Sequence, residues 1–577
     1  ASMFGKITEI NGNSCIVENI SHVTHSELMN CHVVFPESDR LVVGEIIKIG
    51  EEKITILLVG EIRSNRFFPG VVKKPSTTPR IINVNELELI IGKQTKDIPT
   101  LGHSTIYKNY DVKLPIDSMF GNHLAIIGNT GSGKSCGVTR ILQNLFIECT
   151  NKPKNSHFVI FDAYGEYTHA FDGLDVNTKV YTAVKESALD LGLILPPNFL
   201  EVDDLAILLG VTETDQLPVL EKTLKLVYIF TSSDEKVIEY KNDIIAKCLL
   251  DILTSGKSGS QMRDQIIAVL THYKTDSLNL ETIVHTPGYD RTLKQCLLID
   301  DRGKINAMEL ITKFLSEFTK LNLNEIIIDK NYTYSLNDLY YALEFALMSE
   351  GTINSTLSYS KNNILKNRLQ TIINSKYKSI FEVNEYVTKE DYISKFFTKN
   401  EENAPLIIIN LSTVDDRFAK ILTKLFTKLF FTYTTTLNKR ASFPVNIILE
   451  EAHRYVQNDN DINIIGYNIF DRITKEGRKY GTLLTFITQR PSELSSTALS
   501  QCSNFVIFRI FHPKDFEIVK SISTNVDSEN LEKLKTLNSG TSLVFGTGFK
   551  ISLLVSFDLP SPMPTSTNVM LSQIWYQ

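Results

Sequence analysis

The sequence predicts an α/β chain: a parallel-sheet core split by a mainly helical insertion and preceded by a small β-barrel. Three observations predict it. From Phe4 to about Phe68, apolar residues come in short strand-like runs parted by Gly and Asn turns. From about Phe120, apolar runs alternate with helical periods, as in a parallel sheet with crossover helices. A long Lys/Leu/Ile-rich stretch then follows, with apolar residues at three- and four-residue steps, before strand signals return at Leu406.

The barrel, taken as residues 1–75, rests on Ile7–Ile10, Cys15–Val17, His32–Phe35, Leu41–Ile49 and Ile54–Val59, with the turn signal Asn11-Gly12-Asn13 between the first two. Residues 76–119, punctuated by Pro79 and Pro99, read as an extended linker. The core takes residues 120–198 and 400–555, the helical insertion 199–399, and a Pro-containing tail 556–577. At 577 residues, the chain has room for about three or four units of ~100–200 residues.

Composition narrows the functional classes. The chain is 42% hydrophobic and 22% charged, close to the soluble globular average, with a formal net charge of −6. A simple basic coat for nucleic acid is therefore disfavoured. Any such contact comes from a local patch or from a pore that pools cations from several copies. The 7 cysteines include no CxxC pair, which reads as reduced thiols without a zinc site. No apolar run approaches ~18 residues and no secretory signal opens the chain, so the expected setting is the cytoplasm, away from a membrane. Ala1-Ser2 ahead of Met3 reads as an expression scar.

The most specific segment is Gly128-Asn129-Thr130-Gly131-Ser132-Gly133-Lys134-Ser135. It stands between the apolar run His123–Ile127 and a helical face of Val138, Ile141, Leu142, Leu145 and Phe146. Strand, glycine loop and helix together make a phosphate cradle of backbone N–H groups at a helix N-terminus. Lys134 is expected on the β- and γ-phosphates of ATP and Ser135 on Mg2+. The nucleotide-binding set runs from Gly128 through Cys136.

Hydrolysis also needs a metal-holding carboxylate and a group for water. Val445–Leu449 ends in Glu450-Glu451, and Phe158–Phe161 ends in Asp162. The adjacent pair can divide the work, Glu450 for Mg2+ and Glu451 for the attacking water, with that division left open; the alternative is an exposed strand end without a catalytic role. Glu450 is one methylene longer than the Asp usual at this place. Asp162 reads either as a further metal-associated acid or as a helix N-cap. Gln489, at the tip of the run Thr482–Thr488, is the candidate γ-phosphate sensor. Arg478 reads as an arginine finger from a neighbouring subunit, or as a cation placed on a helix C-terminus before Gly481. His453 either couples nucleotide state to a pore or packs beside the sheet, and the segment Gln457–Asn460 is a candidate pore loop.

Together Gly128–Ser135, Asp162–Tyr167, Glu450–His453, Glu476–Gly481 and Thr488–Pro491 resemble the HerA family, within the HerA/FtsK branch of P-loop motors, and they occur in that family's order. The resemblance implies a RecA-like ATPase core and a homohexamer hydrolysing ATP between subunits. It also implies double-stranded DNA in a central pore, and an effector on the barrel face such as a NurA-type nuclease or a sirtuin-like NADase, as in antiviral pairs. It favours the trans role for Arg478 and a brace-like role for the tail. Asp162-Ala163-Tyr164 departs from the family's usual Asp-Pro-His, so any role of that His does not carry over. Two rivals stay open: a nucleotide-regulated scaffold ring that activates an effector with little translocation, and a conjugation or packaging motor.

Overall fold

The computed structural model describes residues 3–22, 26–319, 327–351, 356–523, 526–565 and 569–577. Two compact units divide the chain. One comprises residues 1–191, 393–459 and 468–577, the other residues 192–392 and 460–467.

The first unit opens with a curved antiparallel sheet. Its strands are β1 (Phe4–Asn11), β2 (Ser14–Asn19), β3 (His32–Pro36), β4 (Leu41–Ile49), β5 (Lys53–Arg63), β6 (Arg66–Pro69) and β7 (Arg80–Ile81). They pair in the order β1-β2-β5-β4-β3-β7, with β6 also on β5. Gly12, at φ +62°, makes the tight turn from β1 to β2. Val17, Val33, Phe35, Val42, Ile46, Ile54 and Ile56 line one buried face. Val34, Val43, Ile62 and Phe67 face the other way and meet Leu87 and Ile90. Strands apolar on both faces must be covered on both. The sheet is accordingly a half-barrel, its second face closed by a helix.

That helix lies in the stretch expected as an extended linker. It is α1 (Val84–Ile91), started by a capping box between Asn83 and Glu86. Glu86 also takes a two-pronged contact from Arg80, at 2.7 and 2.8 Å. After Pro99 come β8 (Thr100–Ser104), β9 (Asp111–Lys113) and α2 (Ile116–Phe120). The prolines fall between elements rather than within them, so they delimit structure instead of preventing it.

The central sheet follows. Its further strands are β10 (Leu124–Ile127), β11 (Phe158–Asp162), β12 (Thr178–Thr182), β13 (Leu406–Asn410), β14 (Val445–Leu449), β15 (Thr482–Thr488), β16 (Asn504–Ile507), β17 (Thr541–Gly546) and β18 (Leu553–Ser556). The order is β12-β13-β11-β14-β15-β10-β16-β17-β18-β8-β9. From β12 to β16 every pairing is parallel; from β16 to β9 every pairing is antiparallel. Helices α3 (Lys134–Ile147), α4 (Asp416–Thr435) and α5 (Ile469–Tyr480) are the crossover elements that the site uses. A parallel sheet covered on both faces explains why β10, β11 and β13 read as nearly continuous apolar runs.

The second unit is mainly helical, with long helices at Leu217–Thr231, Glu235–Leu253, Gly259–His272, Leu336–Gly351 and Thr356–Ile373. Val219, Leu220, Thr223, Leu226 and Val227 form the buried stripe of the first, and Ser258 with Gln261 caps the third. Residues 460–467, which begin at the last residue of the candidate pore loop, cluster with this unit. Among the described residues, no helix is long and apolar enough to cross a membrane.

A buried ionic cluster joins the half-barrel to the central sheet. Glu45 on β4 is 6% exposed and accepts from Lys533 Nζ at 2.8 Å and Asn530 Nδ2 at 3.3 Å. Beside it the Tyr107 hydroxyl meets His32 Nδ1 at 2.6 Å. Removing one partner of a buried pair strands the other. Glu45→Ala is expected to cost about 3 kcal/mol. In a Glu45/Lys533 double-alanine cycle read by urea unfolding, the coupling should exceed about 1 kcal/mol.

Candidate functional site

The strand order sets the site. β15 lies between β10 and β14, and β11 flanks β14 on the far side. Ile127 is level with Thr488, Leu449 with Phe486, and Phe161 with Leu449. All four strands run the same way, so Gly128, Gln489, Glu450 and Asp162 emerge at one edge of the sheet, where open α/β sheets place their ligands.

The glycine loop is held from three sides. Gly128 N–H donates to Thr488 O at 3.2 Å and Asn129 N–H to Arg509 O at 3.0 Å. Gly540 N–H donates to Ser132 O at 2.9 Å, and Ser539 Oγ to Gly131 O at 3.1 Å. Gly131 and Gly133 take φ +78° and +88°, the left-handed region. A Cβ on Gly133 would stand 2.5 Å from the Gly540 nitrogen. The Phe508 ring wedges against Gly128 and Gly137, which accounts for a glycine in the first turns of α3. The first intrahelical bond of α3 is Gly137 N–H to Gly133 O, at 2.8 Å. The amides of Lys134, Ser135 and Cys136 therefore lack an intrahelical acceptor and make the anion-binding end of the helix.

Lys134 is buried, and its Nζ lies 4.0 Å from Glu450 Oε1. The Glu450 carboxylate is itself enclosed, and its Oε2 accepts from the Tyr167 hydroxyl at 2.7 Å. Burial pushes the Glu450 carboxyl up to about 7, with Lys134 and Tyr167 pulling the other way. Glu451 is also buried; it begins the turn Ala452–Arg454 at φ +56°, a left-handed backbone rare outside glycine. Among the described residues its buried Oε2 has no hydrogen-bond donor, and His453 Nε2 lies 3.3 Å from it. His453 Nδ1 in turn meets Thr488 Oγ1 at 3.0 Å. His453 thus ties the β14 turn to the tip of β15, and burial lowers its pKa, which favours the neutral ring.

Asp162 has no exposed surface, and its oxygens accept from the amides of Glu166 (3.0 Å) and Tyr167 (2.9 Å). It caps the following turn. Burial raises its carboxyl to about 6 against those bonds. Glu166 is half-buried, with its pKa raised by burial and held back by the Lys134 charge. The Thr130 hydroxyl donates to Gln489 Oε1, which places Gln489 directly on the glycine loop.

Arg478 is elsewhere. It is exposed in the last turn of α5, ahead of β15, while Gln489 follows that strand. The seven residues Thr482–Thr488 separate the two by about 20 Å at ~3.3 Å per residue. Its charge is felt at His123, at the start of β10, whose pKa burial drives down to about 4 with Arg478 adding to the effect. Gly477 packs where a Cβ would stand 2.3 Å from Thr482 O, and Gly481 at φ +87° returns its N–H to Gly477 O. These glycines make the sharp helix-to-strand return that presents Arg478 and Lys479 outward.

Three contributors were missed in the sequence: the Tyr167 hydroxyl, the Ser539-Gly540 turn, and Phe508. Tyr167 sits in the quoted Asp162–Tyr167 segment, but its partner is 283 residues away. Only the β11–β14 pairing brings the two together.

The model of the central domain of helicase HerA matches residues 99–430, more than half of the chain. A DNA double-strand break repair helicase HerA of Pyrococcus furiosus is 22% identical over 521 residues, 89% of this chain and 78% of the relative. A probable helicase of Methanocaldococcus jannaschii is 26% identical over 502 residues, 86% and 76% of the two chains. Among solved structures, the plasmid coupling protein TrwB with ADP and Mg2+ aligns over 83% of this chain and 93% of its own, at 12% identity and TM-score 0.44.

Gly133→Ala should fold and lose ADP affinity by at least about tenfold, read by fluorescent-ADP titration, because both backbone strain and the Gly540 clash distort the cradle. A carboxyl raised on folding keeps a proton that the unfolded chain has lost. The stability associated with it is greatest at low pH and is given up as pH climbs from the ordinary 4.5 through about 7. The thermal midpoint of nucleotide-free Glu450→Gln should therefore fall less than wild type over that window.

Proposed function

This chain belongs to the HerA helicase family and is a P-loop ATPase; from that premise we propose that it is a ring-forming motor that couples ATP hydrolysis to movement of double-stranded DNA. The observation that carries this reading is the division of polar groups between the two edges of one sheet. Lys134, Ser135, Glu450, Glu451 and Gln489 stand at one edge, and Arg478 stands at the other. A finger that far from its own phosphates can serve only a neighbouring copy.

In this reading the glycine loop and Lys134 bind the β- and γ-phosphates. Ser135 and Glu450 fit Mg2+: both offer oxygen, and a hard cation of this kind keeps water and phosphate oxygens for its remaining positions. When bound, the ion neutralises charge between the phosphates. The enclosed Oε2 of Glu451 accepts a hydrogen bond from the attacking water, with His453 holding the carboxylate in place. Gln489 reports the γ-phosphate to the loop through Thr130.

The net charge of −6 supports a pore shared by several copies over a basic outer face for DNA. Six copies, a nuclease or NADase effector in an antiviral pair, and work in the cytoplasm complete the proposal. Exposed Ile10, Ile20, Phe68 and Val72 on or beside the half-barrel support docking there.

Lys134→Ala should lower ATP turnover by at least about a hundredfold and Arg478→Ala on the order of a thousandfold. Mixing Arg478→Ala subunits with Glu451→Ala subunits should restore turnover, because some interfaces then carry both intact halves. No recovery at any ratio would remove the shared site. Turnover that duplex DNA does not stimulate would remove the motor.

A further inference from the structure

Glu450 stands where an aspartate is usual, and its extra methylene gives the carboxylate one more rotatable bond to be held. The fold supplies a holder. Tyr167 is wholly buried, part of the same apolar core as Phe158, Ala170 and Phe171. Its hydroxyl donates to Glu450 Oε2 at 2.7 Å, while Lys134 Nζ approaches the other oxygen, Oε1, at 4.0 Å. Tyr167 is fixed in turn. Asp162 takes the Tyr167 amide on one oxygen and the Glu166 amide on the other. From outside, Thr565 N–H donates to Glu166 O at 2.9 Å. Ring, amide and turn are all anchored, so the hydroxyl has one place to point.

We propose that Tyr167 is a positioning residue of the ATPase site, holding Glu450 by Oε2 so that Oε1 alone is turned to Lys134 and the metal position. The inference rests on the reading of Glu450 as the metal's carboxylate. Asp162 then acts through Tyr167. With both of its oxygens already bonded to amides, it orders the turn and gives nothing to the metal. Tyr167 contributes no proton and no charge to the reaction; it removes the rotamer freedom that the longer acid would otherwise keep.

The test uses the full chain with Tyr167→Phe, Asp162→Asn and Glu450→Gln. Fluorescent-ADP binding is titrated in EDTA and at rising Mg2+, alongside ATP turnover over the same Mg2+ range. For Tyr167→Phe, ADP affinity in EDTA should stay within about twofold of wild type. The Mg2+ needed for half-maximal tightening should rise on the order of tenfold, the scale of a lost hydrogen bond to a charged group. Its kcat should fall at low Mg2+ and recover at high Mg2+, with KM for ATP little changed. A mere packing defect would not be recovered by Mg2+. Asp162→Asn should move Mg2+ dependence the same way, and it carries the test if Tyr167→Phe does not fold. Unchanged Mg2+ dependence in Tyr167→Phe, or in Asp162→Asn where that variant carries the test, overturns the proposal when Glu450→Gln has shifted it. If Glu450→Gln also leaves it unchanged, the metal assignment of Glu450 falls first.

Discussion

The parallel register of β11, β14, β15 and β10 is the constraint on which the rest depends. It brings four chain segments, two from before the helical insertion and two from after it, to one edge of one sheet. No single helix or loop could do this, because a functional side chain at a strand tip is only as well placed as the ladder beneath it. The interior of that ladder is β-branched and aromatic, dry on both faces, and locked by crossover helices. A one-residue slip of β14 would turn Glu450 and Glu451 over together. The site is rigid at its base for that reason, and the glycine loop gains further support from the Ser539-Gly540 turn behind it.

The same enclosure sets the electrostatics. Glu166, Glu450 and Glu451 lie close to one another beside Lys134, Asp162 stands near Glu166, and burial raises the carboxyls of Asp162, Glu166 and Glu450. Carboxylates packed this way favour a proton until a stronger cation arrives. Bringing phosphates alone to such a place would add negative charge to negative charge. Phosphates accompanied by a divalent ion resolve the conflict, which is the combination the donor set fits. Asp162 escapes the crowding by spending both oxygens on backbone amides, and Glu450 is restrained by Tyr167.

Much of this was legible in the residues. The loop Gly128–Ser135 declares itself because its chemistry is local: glycines, Lys134 and Ser135 act at fixed spacing on one ligand. The acidic pair at the end of Val445–Leu449 is legible because a buried strand has no other use for adjacent carboxylates. Asp162 admitted two readings from sequence, and its bonds to the Glu166 and Tyr167 amides are formed only once the turn is folded. The helix at Val84–Ile91 was hidden by prolines that flank it, although the Asn83…Glu86 capping box was there to be read. The half-barrel's second covered face, the Glu45–Lys533 cluster and the Tyr167 bond were not readable, because each depends on partners brought together only by the completed topology.

Arg478 is where the length of a strand bears on the proposed assembly. Its motif has two jobs in sequence terms, a helix C-cap and a finger, and the fold satisfies the first within the chain: Gly481 closes the helix and the cation sits on its C-terminal end. That alone would leave Arg478 replaceable by lysine. The second job asks for a planar, always-charged group at a phosphate, and β15 puts its own phosphate about 20 Å away. Flexing cannot close that gap, since the strand is central in a packed sheet and the helix return is pinned at Gly477. A neighbour related by a head-to-tail rotation can, since such an interface sets the front edge of one copy against the back of the next. In the proposed ring, each site would be completed only when its neighbour is correctly seated, so hydrolysis at one interface would report the geometry of the next. On the proposed reading Arg478→Lys therefore separates the two jobs: the cap and the fold are expected to be preserved, and ATP turnover, read by phosphate release, is expected to fall.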